Sequence, residues 1–279
     1  MFGGFGKEKR VAGEFRYTAR MTISQSIILG VIQGFTEFIP ISSTAHLMLA
    51  QSAMGLPTDL QGFDILLHAG TLLALVLCYP QAWWNMAKSP FTGDKTAQRM
   101  LLLIIIATIP AAVCGALFAD AVEQSMGSIR SLGWQLLINA ALLIAAERFL
   151  QSRHRKEMRI TDALIVGIAQ VFALIPGISR SAITIAAGRM LGIVRRDALD
   201  FSFLMAAPII AGASLFATAD IVAGHTVIPA LSVTVAGVAS ACVSGIAAIY
   251  FLRRFVASCS LAWFAVYLVP VGLLLCFRV

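Results

Sequence analysis

QGFTEFIPISSTAHL, residues 33–47, is a polar island in a very apolar chain. It carries Gln33, Thr36, Glu37, Ser42, Ser43, Thr44 and His46, set around Pro40. The apolar runs on either side, 24–38 and 44–54, are shorter than the roughly 20 residues a helix needs to cross a bilayer. Two short helices joined at a polar break read as a re-entrant pair, which a membrane protein tolerates where it lines a cavity. The stretch has a partner downstream. Gly30, Gln33, Phe35, Ile41 and Ser42 recur as Gly167, Gln170, Phe172, Ile178 and Ser179, every pair 137 positions apart. Pro40 and Pro176 fall one place out of step. Further along, Phe63, Leu66 and Ala69 match Phe201, Leu204 and Ala207 at an offset of 138. Apolar residues match easily by chance, but a fixed offset for Gly, Gln and Ser favours a repeat.

Working outward, each half reads as a broken pair followed by three spans. The first half adds spans at 63–79, 100–118 and 133–149, with loops at 80–99 and 152–160. The second half has short runs at 161–174 and 180–191, then spans at 198–219, 227–252 and 261–277. An odd number of full crossings inverts the second half. The expected fold is an all-α polytopic membrane protein with an inverted-topology internal repeat. Residues 21–279 form one integral membrane domain, with halves at 22–151 and 160–279. Residues 1–20 are a polar, basic extension. With the apolar run that follows, they imitate a signal peptide, but that run carries Gln33 and Glu37 and is echoed downstream. Met21 is an alternative start. Inverted repeats with paired short segments place the functional site where those segments meet.

Composition agrees. The chain is 59% hydrophobic and 13% charged, with mean hydropathy +0.86, whereas a soluble domain is about a quarter charged. The net charge of +7 comes without a basic patch interleaved with aromatics, so nucleic acid is not expected as a partner. Loop asymmetry explains it instead. Loops 80–99, 152–160, 194–196 and 253–254 hold eleven Lys and Arg residues. Loops 55–62, 119–130 and 220–226 hold Arg130 beside Asp59, Asp120, Glu123 and Asp220. The basic set should be cytoplasmic. The first pair then opens outward and the second inward, which leaves the basic 1–20 extension on the outer side, in conflict with the rule unless translation starts at Met21. The five cysteines lack metal-ligand spacing and read as packing residues.

The second island, residues 170–184, reads QVFALIPGISRSAIT. Arg180 follows the Pro176-Gly177 break at the start of a helix, flanked by Ser179, Ser181 and Thr184. A guanidinium beside free helix N–H groups suits an anion, best a phosphate. Capping explains Ser179 alone, but not an arginine between two serines in a segment too short to span. In the first island Gln33 and Glu37 are four apart and share a face. Ser43 and His46 are three apart, so a hydroxyl faces an imidazole, a plausible nucleophile–base pair. Asp64 reads equally as an acidic group at the site or as a helix cap, Asp197 and Asp200 as caps and helix-dipole partners, His68 as a packed interior residue, Arg195-Arg196 as a topology signal and Trp83-Trp84 as an interfacial anchor.

The motifs QGFTE (33–37), PISSTAH (40–46) and PGISRSAIT (176–184), with the flanking GFDILLHAGT and DFSFLMAAP, resemble those of the undecaprenyl-diphosphate phosphatases, the bacterial bacitracin-resistance family. The resemblance runs from about residue 22 to 277. Gln33 stands where many members carry Glu, and Ala45 and Ala182 where Gly is common. The resemblance implies hydrolysis of a C55 polyprenyl diphosphate to the monophosphate, which recycles the lipid carrier for envelope polymers. It also implies a bacterial inner-membrane enzyme with an extracytoplasmic site and a divalent-cation requirement, Mg²⁺ or Ca²⁺. By the same resemblance Glu37 and Gln33 form the acidic, metal-binding motif. Ser43 and His46 are the nucleophile and the general acid/base, with the choice of attacking atom open. Arg180 clamps the diphosphate, helped by Ser179, Ser181 and Thr184, and Gln33, Ser42 and Thr44 are the other expected substrate-binding residues. The expected partners are the polyprenyl diphosphate lipid and the membrane, with a homodimer allowed. Two other readings compete. A flippase or secondary transporter explains the repeat equally well but needs no nucleophile. An intramembrane serine protease leaves Arg180 without a task.

Overall fold

A computed structural model describes residues 21–57, 60–118, 128–223 and 228–277. Its regular structure is helical: α1 (Ile23–Phe38), α2 (Ser43–Ala53), α3 (Gln61–Cys78), α4 (Pro80–Thr92), α5 (Lys95–Leu117), α6 (Ile129–Ala146), α7 (Ile160–Val171), α8 (Arg180–Met190), α9 (Arg195–Val222), α10 (Leu231–Ser258) and α11 (Trp263–Phe277). Single 3-10 turns occur at Arg155–Glu157 and Phe172–Leu174. The extension 1–20 lies outside the described residues, as do Asp59, Asp120 and Glu123.

Four helices, α5, α6, α9 and α10, are long and apolar enough to cross a membrane, and α3 with α4 qualifies as a pair bent by 79°. Helix α11 is apolar but shorter. Ile105, Ile109, Val113, Trp134, Val243 and Phe251 are exposed on these helices. A large exposed apolar area of this kind suits lipid rather than water. The chain is a multi-pass membrane protein.

One expectation needs correction. Residues 80–99 are not a loop, because α4 fills most of them. Pro80 starts α4 at a position where its missing N–H costs nothing. Gly93, at φ 70, stops it in the left-handed conformation. Asp94 then caps α5 by accepting from the N–H groups of Thr96 and Ala97 at 3.0 and 3.1 Å.

Small residues let the helices approach closely. A Cβ added at Gly34 would strike the Ala241 carbonyl and Ser244 of α10. At Gly133 it would lie 2.7 Å from the Gly272 carbonyl of α11. The pairings are reciprocal between the halves. Helix α1 packs on α10 as α7 packs on α5, and α3 packs on α10 as α9 packs on α5. Helix α1 contacts α2 as α7 contacts α8, while α3 meets α9 and α6 meets α11.

The basic segments fold against acidic partners at one end of the bundle. Arg195 and the fully buried Arg189 both pair with Glu147, at 2.5 and 3.0 Å. Arg153 pairs with Asp162 at 2.5 Å. Asp197 and Asp200 do not cap α9. Asp197 accepts from the Arg155 N–H at 2.9 Å and pairs with His154, whereas Asp200 joins the Tyr79 hydroxyl to Arg253. Each is drawn to partners brought in by another segment, which spacing along one helix could not reveal. All five cysteines are free.

Candidate active site

Helix α1 carries Gln33 and Glu37 on one buried face, and Gln33 Nε2 donates to Glu37 Oε2 at 3.1 Å. After Phe38 the chain turns through Pro40, where the Ile41 N–H donates to the Ile39 carbonyl at 2.7 Å. Ser42 then caps α2 with φ 75 and ψ 100, the one positive φ on a non-glycine among the described residues. This strained turn sets Ser43 at the start of α2, where its Oγ donates to Glu37 Oε2 at 2.7 Å. Backbone strain of this kind gathers at functional sites.

The second break is built differently. Gly177 takes φ 96, where a Cβ would strike Gln135. Asn139 of α6 staples the turn: its Nδ2 donates to the Gly177 carbonyl and its Oδ1 accepts from the Ser179 N–H, both at 3.0 Å. Arg180 opens α8, and its Nη2 pairs with Glu37 Oε1. Glu37, the carboxylate at the centre, is thus shared by a serine of one broken pair and an arginine of the other.

Both breaks line one cavity of about 280 Å³. The first contributes Thr36, Glu37, Ser42, Ser43 and Thr44, and the second Gln170, Leu174, Ser179 and Arg180. Its remaining wall includes His68 of α3 and apolar residues such as Ala111, Ile209 and Ile210. Polar side chains from both breaks share this cavity with apolar ones, a lining that suits an anionic headgroup with a hydrocarbon tail.

Other expected site residues stand off the cavity wall. Gln33 lies behind Glu37 and is fully buried. Ser181 Oγ is 3.1 Å from Ser179 Oγ, and Thr184 Oγ1 bonds the Arg180 carbonyl and Ser202 Oγ. His46 does not face Ser43. A carbonyl only accepts, so His46 Nδ1 donates to the Ser42 carbonyl at 2.7 Å, and Nε2 accepts from the Tyr267 hydroxyl of α11 at 2.7 Å. The ring also stacks on Tyr267. The three-residue spacing brings His46 onto the face of α2 that meets α11, because Ser43 sits at the helix end and points back toward α1. His68, read as a packed interior residue, is the imidazole that reaches the cavity. Its Nδ1 donates to the Asp64 carbonyl at 2.7 Å, which aims Nε2 at Glu37 Oε2, 3.4 Å away. Nothing in the sequence separates His68 from an ordinary core histidine, and Asn139 is equally silent.

The residues form a poor resident metal site. Among the described residues no three His, Cys, Asp or Glu side chains gather for a metal. Glu37 is already committed to Arg180, Ser43 and Gln33. Gln33 Oε1 has no partner among the described residues, but Mg²⁺ and Ca²⁺ take six or more oxygens.

Comparison with known proteins adds an independent line. The family model described as bacitracin resistance protein BacA matches residues 26–274. An undecaprenyl-diphosphatase of Gemmatimonas aurantiaca is 40% identical over 261 residues, covering 91% of this chain and 96% of the relative. The undecaprenyl-diphosphatase of Geotalea daltonii is 39% identical over 264 residues (91% and 97%). That of Pelotomaculum thermopropionicum is 36% identical over 255 residues (91% and 95%).

Proposed function

The chain belongs to the bacitracin resistance protein BacA family, and on that premise we infer that it hydrolyses undecaprenyl diphosphate to undecaprenyl phosphate and inorganic phosphate. The activity recycles a lipid carrier and accounts for bacitracin resistance as the family role. The carrying observation is the 2.7 Å bond from Ser43 Oγ to Glu37 Oε2, in a cavity that also holds Arg180.

In the proposed reaction Ser43 Oγ attacks the terminal phosphorus while Glu37 accepts its proton. The bond from that phosphorus to the bridging oxygen breaks, and the lipid monophosphate leaves. Water then attacks the phosphoserine: its oxygen leaves on the released phosphate, one of its protons restores the Ser43 hydroxyl, and the proton held by Glu37 departs with the phosphate, which regenerates the carboxylate. Arg180 holds Glu37 through Nη2, and its buried Nη1, unpartnered among the described residues, is available to a phosphoryl oxygen. Positioning and charge stabilisation dominate phosphoryl transfer, so an arginine on the nucleophile's own base does both at once. His68 steadies Glu37 from the cavity side. Ser42, Thr44 and Ser179 are proposed as headgroup ligands, with Ser181 and Thr184 holding the Arg180 turn from behind. A divalent cation is proposed to arrive on the diphosphate, since Glu37 and Gln33 by themselves offer too few oxygens to hold it.

We propose that the protein sits in the bacterial inner membrane with the site open to the extracytoplasmic side, as the family resemblance implies, and that the basic segments 152–160, 194–196 and 253–254 lie on the cytoplasmic side. The reciprocal helix pairing supports an inverted repeat of 22–151 and 160–279. The repeat also suits a carrier, but a serine bonded to a carboxylate favours the hydrolase. Phosphate release from undecaprenyl diphosphate by purified protein in detergent decides between them, because detergent abolishes compartments and a pure carrier would release nothing.

A further inference from the structure

Gln170 of α7 lies on the cavity wall and is 2% exposed. Among the described residues neither its Nε2 nor its Oε1 has a hydrogen-bond partner, and both atoms are buried. A primary amide carries two donors and an acceptor. Leaving all of them unmade in a buried place is costly, and such groups are rare in folded proteins. A ligand that enters the cavity would satisfy them.

The repeat sharpens the point. Gln170 stands where Gln33 stands in the first half. Gln33 Nε2 spends its donor on Glu37, four residues on. Four residues on from Gln170 is Leu174, also on the cavity wall. The second half therefore keeps the amide without its carboxylate. Arg180 Nη1, from the same wall, is a second buried donor with no partner among the described residues.

We propose that Gln170 binds the substrate headgroup, its amide Nε2 donating to a phosphoryl oxygen of the diphosphate alongside Arg180 Nη1. This rests on the diphosphatase reading above. A neutral donor beside a cationic one suits a headgroup whose charge is spread over several oxygens, and it adds a contact without another buried charge.

The test is steady-state kinetics on the full chain in detergent with undecaprenyl diphosphate, using inorganic pyrophosphate as competitor, for wild type, Gln170→Leu and Gln170→Glu. The leucine variant should raise KM and the pyrophosphate inhibition constant about tenfold, equivalent to ~1.4 kcal/mol, with a smaller change in kcat. The glutamate variant should be worse on both, because its carboxylate meets the phosphates. The melting temperature of Gln170→Leu should hold or rise, since the unsatisfied amide is gone. Wild-type KM and inhibition in Gln170→Leu would overturn the proposal. So would equal losses in both variants with lowered melting temperatures, which mark a packing residue. A wild-type protein that releases no phosphate would sink the diphosphatase reading and this proposal with it. An active wild type with indifferent variants sinks the Gln170 assignment alone.

Discussion

His46→Asn and His46→Gln differ in where they place an amide nitrogen, and that difference tests what holds the Ser42 turn. An asparagine amide nitrogen overlays imidazole Nδ1, whereas a glutamine amide nitrogen overlays Nε2. Ser42 at φ 75, ψ 100 adopts a conformation that costs a non-glycine residue about 1–3 kcal/mol. Its carbonyl accepts from His46 Nδ1 at 2.7 Å and, at a longer 3.3 Å, from the His46 backbone N–H. Losing the side-chain donor removes about 0.5–1.5 kcal/mol net, and up to about 3 kcal/mol if the carbonyl is left unsatisfied. The strain and the bond opposing it are of similar size, so without the donor the turn relaxes in a large share of molecules. Ser43 then leaves Glu37. A shift of about 1–3 kcal/mol predicts a fall in kcat of roughly 5- to 150-fold for His46→Gln. KM should change less than kcat, because Arg180, Ser179 and Gln170 on the other wall of the cavity are untouched. His46→Asn keeps the donor and should retain kcat within about threefold. The assay is phosphate release from undecaprenyl diphosphate across a substrate series. If His46 moves a proton in the reaction, neither amide can replace it, and both variants should lose about 10²–10⁴. Equal, severe losses in the two variants would therefore refute the positioning argument and return His46 to the chemistry.

Ser43→Ala should lose nearly all phosphate release with little change in melting temperature, and substantial residual turnover would remove Ser43 as nucleophile. Glu37→Gln should cost about 10²–10⁴ in kcat. It should also lower the melting temperature by leaving Arg180 without a counter-charge, so an active, stable variant would contradict the shared-carboxylate geometry. Gln33→Glu places a second carboxylate 3.1 Å-class close to Glu37 in place of an amide donor; its activity should depend more steeply on added Mg²⁺ than that of wild type, and an unchanged Mg²⁺ titration would refute this. Gly34→Val should lower the melting temperature, as overpacking costs about 1–3 kcal/mol, because its side chain would strike the Ala241 carbonyl of α10; an unchanged melting temperature would refute that contact.

The sequence by itself determined the class of the protein and pointed to the two helix breaks that line the cavity. Run length and apolarity dictate membrane helices, since a bilayer demands unbroken hydrophobic spans. Glu37, Ser43 and Arg180 stood out in the sequence because polar groups are expensive at membrane depth, and the structure brings all three to one cavity. What only the tertiary structure decided is which side chain meets which. Helical spacing put His46 beside Ser43, but Ser43 sits at a helix start after a left-handed turn, where periodicity along the helix has not yet begun. His46 therefore faces Tyr267, contributed 221 residues later, and His68 from α3 takes the place by Glu37. Asn139, Asp197 and Asp200 likewise find their partners across the bundle. Local spacing reports the face of one helix, whereas the partner of a buried polar group is set by the helix packed against that face.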